Sequence, residues 1–219
     1  LAGLALLGIL GDGQEIEGPN REIVNEGIAN GFITPNRGLR LAGRGLVEQL
    51  ALALNPYLDG LSGTPETART LVAQVTDEDD VDYETLLSRI VLATAPQASL
   101  SALCGLWGTT YSLGREVIDE AMNLAAVVDA CGKTGCGDIG ASLCLRSTHA
   151  LQEAWEIAVR YRQAVISSIQ RARRLDERLA LFEVDDGTVT SDVADALANG
   201  LTQSGPVFVI GEREGQCHI

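Results

Sequence analysis

Three cysteines crowd one glycine-rich stretch, CGKTGCGDIGASLC, at Cys131, Cys136 and Cys144, and these residue types carry the clearest chemistry in the chain. Thiolates bind soft metals and exchange disulfides. A structural zinc site needs four sulfur or nitrogen ligands in tetrahedral array. Cys131, Cys136 and Cys144 supply three, with Cys104, His149, Cys217 or His218 as the fourth. The gap within the first pair is wider than the usual two residues, and no second knuckle follows. Cys131, Cys136, Cys144 and His149 are therefore candidate ligands without a recognisable zinc pattern, and no cofactor is expected. A disulfide, Cys131 to Cys136 or Cys131 to Cys144, would pin the loop in an oxidising compartment, and plain thiols are the default elsewhere. With five cysteines, at least one thiol is left over within a single chain.

The letters Gly132-Lys133-Thr134 look like the end of a phosphate-binding loop. The glycine required ahead of them, across four intervening residues, is Val127, and a helical pattern rather than a strand precedes them. A nucleotide site is excluded on both counts. Nucleophilic catalysis needs a general base beside a Cys or Ser. The histidines available are His149 and His218, and neither has a flanking signature. No catalytic residue is assigned, and no small-molecule substrate is indicated. The acidic run Asp77 to Asp80 lacks the spacing, glycine and distal glutamate of a calcium loop, and reads as a solvated turn.

Charge offers a second candidate. Fifteen arginines and a single lysine face thirty acids, for a net charge of −14. Phosphate is repelled by such a mean field, so nucleic acid is not an expected partner. Arg171, Arg173 and Arg174 form the densest cationic patch, and pairing with acids of the same chain or of a neighbouring copy accounts for it.

These residues hang on a pattern of helices. Leu151, Trp155, Ala158, Tyr161, Val165, Ile169, Ala172, Leu175 and Leu179 recur at helical spacing, which predicts one amphipathic helix from Thr148 to Phe182, about 35 residues and 50 Å long. Shorter helices are expected over 39–54 and from Pro65, Asp82, Ser99 and Tyr111, with Gly132 closing the last. Thr34-Pro35 reads as a helix start. Beyond Phe182 the texture changes: a hairpin over 183–190, a short helix over 192–199 and one apolar strand over 206–210. Residues 1–63 hold half of the 24 glycines and should be broken helix and turn. The fold class expected is mainly α: a helical bundle with one long helix, a glycine-rich irregular amino-terminal region and a small β element near the carboxyl terminus. The divisions are 1–63, 64–182 and 183–219, forming one integrated domain.

Leu1 to Leu10 carry no charge, yet ten residues of helix rise about 15 Å against about 30 Å of bilayer core. A buried arm is the plain reading, and contact with a membrane surface stays open. The first residue is Leu rather than Met, which reads as a processed or trimmed end. Together these features predict a non-enzymatic structural protein that assembles with copies of itself or with other subunits. The long helix and the apolar arm would make the contacts, through Leu1, Leu4, Leu7, Trp155, Arg171, Arg173 and Arg174. By compositional analogy this suits a virus or phage particle, and a virion or cytoplasmic location is favoured over secretion. A cysteine-loop metal or redox protein and a membrane- or nucleic-acid-associated module are the alternatives.

Overall fold

A computed structural model describes residues 1–77, 80–176, 179–202, 205–213 and 216–218. From the amino end come α1 (Ala2–Gly11), α2 (Gly18–Ala29), β1 (Ile33–Leu39), α3 (Leu46–Ala51) and α4 (Pro65–Ala73). The short strands β2 (Thr76–Asp77) and β3 (Asp80–Val81) precede α5 (Tyr83–Thr94), α6 (Leu100–Gly105) and β4 (Trp107–Leu113). Then follow α7 (Ala121–Lys133), α8 (Gly137–Cys144), α9 (Leu151–Arg171), β5 (Arg173–Asp176) and β6 (Ala180–Val184). The chain closes with α10 (Thr190–Gly200), β7 (Val207–Arg213) and β8 (Gln216–His218). The turn expected over Asp77–Asp80 lies partly outside the described residues.

Helix starts follow local chemistry. Asp82, Ser99 and Glu120 each accept a hydrogen bond from the backbone N–H three residues on, and so cap α5, α6 and α7. Proline occupies the first turn of α2 and of α4, where its missing N–H costs nothing.

The chain divides into two compact units, one made of Leu1–Ala42 and Trp107–Tyr161, the other of Gly43–Leu106 and Arg162–Ile219. In the first, β1 and β4 form an antiparallel ribbon in register from Ile33↔Leu113 to Leu39↔Trp107. Leu6, Leu7, Ile9, Val24, Ile33, Leu113, Leu124, Val127 and Leu143 are buried together in its core, with Ala154 and Ile157 of α9. In the second, a four-stranded sheet runs in the order β5-β6-β7-β8. Strands β6 and β7 are parallel, with α10 in the crossover between them, and the outer pairs are antiparallel.

Residues 52–64 of the second unit fold into a tight loop. The buried Ser62 hydroxyl donates to the Ala53 carbonyl at 2.7 Å and accepts from the Leu58 N–H at 3.0 Å. Gln170 of α9 donates to the Ser62 carbonyl at 3.2 Å. Arg162, only 8% exposed, donates to the Leu52 carbonyl at the end of α3. Burial lowers its pKa, and the nearby Glu48 carboxylate opposes that shift.

Four expectations are corrected. The described residues form a mixed α/β fold rather than a helical bundle. Its longest helix is α9, 21 residues rather than about 35. Beyond it Arg173–Asp176 and Ala180–Val184 are strands, which pair with each other, and β6 also pairs with β7. Pairing with distant strands here overrides a locally helix-compatible sequence. Thr34-Pro35 likewise lies within β1, and α7 begins at Ala121 rather than near Tyr111.

Candidate functional site

The cysteine stretch is a helix–turn–helix joint. Helix α7 ends on a left-handed glycine, Gly135, with φ of 78°. The Cys136 N–H donates to the Cys131 carbonyl at 2.8 Å and the Gly135 N–H to the Gly132 carbonyl at 3.3 Å. This pair of bonds is the Schellman closure of a helix, and it needs a residue free to take positive φ. The terminator is thus Gly135 rather than Gly132. Cys131 is fully buried, while Cys136 and Cys144 are half-buried, and none of the three is in a disulfide. Burial, reinforced by Cys136, Asp138 and Glu153, pushes the Cys131 thiol up to about 11. Burial, then Glu116, also raises that of Cys144. Thiols held protonated in this way are poor resting nucleophiles. His149 sits in the turn before α9, and among the described residues no group of three or more His, Cys, Asp or Glu has the geometry to hold a metal. The side chain of Cys217 lies outside the described residues. Lys133 forms an ion pair with Asp129 at 2.9 Å and lies 5.9 Å from the Tyr161 ring, so it is engaged within its own unit.

The apolar amino-terminal segment is α1. Leu7 is buried in the core of its own unit, Leu4 packs against that core, and Leu1 is 96% exposed. Trp155 of α9 also packs on this core. Among the described residues no helix is long and apolar enough to cross a membrane. A cavity of about 30 Å³, room for about one water, is lined by Leu1, Phe32, Arg115, Glu116 and Arg146. Arg146 donates to Glu116 at 3.1 and 3.3 Å, and the Arg115 guanidinium stacks 4.1 Å over the Phe32 ring. These contacts use both guanidinium groups within the fold.

The arginine patch marks the edge of the sheet. Arg173 forms an ion pair with Glu183, Arg171 pairs with Asp185 at 3.4 Å, and Arg174 lies 5.9 Å from the Phe182 ring. All four residues of β5 are exposed. The sheet behind it has one covered and one open face. Ala180, Phe182 and Val184 share a face with Val207, Val209 and Gly211, and Gly211 approaches Gly187 and Thr190 at the start of α10. Leu181, Glu183, Phe208 and Ile210 share the opposite face, where Phe208 is 42% exposed. Leu175 and Leu179 beside it are also exposed. Arg173 stands level with Glu183 on the open face, whereas Arg174 is level with Phe182 and lies over its ring, and Arg171 is the last residue of α9. Sequence reading found the arginines and missed the strand that carries them.

A second feature escaped sequence reading. Glu120 caps α7 with Oε2, while Oε1 is buried with no hydrogen-bond partner among the described residues. Burial is the largest influence on this carboxyl and raises its pKa.

Comparison with known proteins gives no assignment: no protein-family model matches the chain, and no curated protein matches it.

Proposed function

We propose that the protein is a non-enzymatic assembly component whose copies join edge to edge through β5. The observation that carries this reading is the order of residues on that exposed edge, Arg173-Arg174-Leu175-Asp176. Antiparallel pairing of two such strands, centred between Arg174 and Leu175, sets Arg173 of each copy opposite Asp176 of the other. A second strand can add to the edge of a sheet, and cross-strand charge pairs fix the register. A two-fold contact of this kind is self-complementary by construction.

Charge supports the same location. Copies of a chain at −14 repel one another on average, and this arginine-bearing edge is where the sign reverses locally. The bulge between Arg174 and Asp176 keeps the ladder short. Four residues are small beside the roughly 1,200–2,000 Å² of a stable interface. The exposed Leu175, Leu179 and Phe208 add apolar area on the same sheet. Helices α1 and α9 bury their apolar sides within their own chain, which is why the strand edge, and not those helices, is the surface proposed.

Light scattering on a size-exclusion column tests the proposal. The expected result is a species larger than the 23.1 kDa chain at micromolar concentration. Asp176→Arg should return it to monomer by setting arginine against arginine. Arg173→Asp combined with Asp176→Arg should restore the assembly, because the opposed charges are exchanged together. A monomeric parent, or a double variant that stays monomeric while folded, overturns the reading.

A further inference from the structure

We propose that Cys131 and Cys136 form a thiol pair poised to close into a disulfide across the α7–α8 joint when a small-molecule disulfide oxidant is present. The argument starts from one hydrogen bond. The Cys136 N–H meets the Cys131 carbonyl oxygen at 2.8 Å. Adding the fixed spans from each Cα to its own oxygen or nitrogen, about 2.4 and 1.5 Å, leaves the two Cα atoms at most about 6.7 Å apart. Disulfides need Cα separations of about 4.4–6.8 Å. The helix terminator therefore brings the two backbones within bridging reach before any oxidation. A Schellman closure also turns the side chains of its first and last residues toward each other, and these are the positions that Cys131 and Cys136 hold. Both belong to the same packed cluster. The Cys136 thiol is close enough to contribute to raising that of Cys131.

Their exposures divide the work. Cys136 is half-buried and reachable from solvent, whereas Cys131 is completely buried. Oxidised glutathione represents the oxidant class. The Cys136 thiolate attacks one of its sulfurs, forming a mixed disulfide and expelling one glutathione thiolate, which takes up the proton that Cys136 gave up. The Cys131 sulfur then attacks the Cys136 sulfur from inside the fold, expels the second glutathione and passes it the Cys131 proton. The protein loses two hydrogens and the oxidant gains them as two thiols. Only the first step needs access from outside, so burial of Cys131 does not block closure.

Lys133 lies between the two cysteines and makes the bridge directly readable. After exposure of the folded chain to oxidised glutathione, trapping of remaining thiols and tryptic digestion without reduction, the bridge holds peptides 116–133 and 134–146 together. Intact mass should fall by two hydrogens, and reduction should separate the peptides. Peptide 134–146 also contains Cys144, so single variants assign the partner. The linked pair should vanish in Cys136→Ser and persist in Cys144→Ser. The closed form should melt roughly 4–8 °C higher, as expected for a short loop in a chain of this size. Linked peptides that survive in Cys136→Ser overturn the proposal. So does a glutathione adduct on Cys136 that never resolves, or a linkage that is lost in Cys144→Ser.

Discussion

Gly60 and Gly63 offer a matched pair for testing how α9 is seated in its unit. Both hold left-handed backbone, φ of 78° and 80°. An added methyl at Gly60 meets nothing within 4 Å, whereas at Gly63 it would lie 2.3 Å from Gln170 Nε2 and 2.7 Å from Ile166 Cγ2. Alanine in left-handed backbone costs about 1–2 kcal/mol, and Gly60→Ala should cost that and little more. Gly63→Ala carries the same strain. In addition it pushes Gln170 off the Ser62 carbonyl, worth about 1 kcal/mol. It also crowds Ile166, 2% exposed, at about 1–3 kcal/mol for an overpacked site. The expected total is about 3–6 kcal/mol, a gap of about 2–4 kcal/mol between the variants. At roughly 2–4 °C per kcal/mol the two melting temperatures should differ by roughly 5–15 °C. Urea unfolding followed by circular dichroism provides the free energies, and Gln170→Ala in the Gly63→Ala background should recover part of the loss. Equal destabilisation by the two alanines would refute the packing of α9 on this loop.

Two pH dependences follow from buried groups. Burial, reinforced by the Asp59 carboxylate, pushes the Tyr57 phenol up to about 12. The folded chain therefore keeps that proton while the unfolded chain releases it near pH 10, and stability falls as pH rises from about 10 to about 12. Tyr57→Phe should flatten that part of the alkaline limb in urea midpoints measured between about pH 9 and 11, and an unchanged slope would show that the phenol is solvated. Glu120 is the acidic counterpart, its pKa raised chiefly by burial. Its penalty is absent while both states are protonated, and develops as pH climbs past the ordinary value of 4.5. Glu120→Gln should therefore melt above the parent at pH 7, with the advantage closing in acid. A glutamine variant that melts lower at pH 7 would mean that the ionised carboxylate is stabilised by α7.

The sequence carried the helical elements wherever their signals were local. Asp82 and Ser99 announce α5 and α6 through their side chains, and both caps form. The stripe through Ala158, Val165 and Ile169 locates α9 and its buried side. Its continuation through Leu175 and Leu179 is exposed and outside the helix, although no glycine or proline marks a stop after Arg171. What ends the helix is the pairing of β6 with residues 207–211, which no local pattern encodes. Thr34-Pro35 failed for the same reason. It satisfies a helix-start rule, yet its strand is fixed by partners such as Ser112, whose hydroxyl accepts from Asn36 at 2.9 Å. Of the candidate sites, the arginines were visible as a charge cluster and the strand edge beneath them was not. Arg162 was also open to a better reading. It lies four residues after Ala158 and three before Val165, on the apolar line, and a charge there must find a buried partner.

The alternation of the two units along the chain has a consequence for synthesis. Each unit is stitched from two separated stretches, and α9 passes from one to the other between Tyr161 and Arg162. A ribosome must therefore deliver residues 107–161 before the unit begun by the first 42 residues can close, while the intervening stretch waits for its own missing half. No single cut in the polypeptide yields either unit whole. The nascent chain must hold two unfinished cores at once, and neither can close until residue 161 has been made.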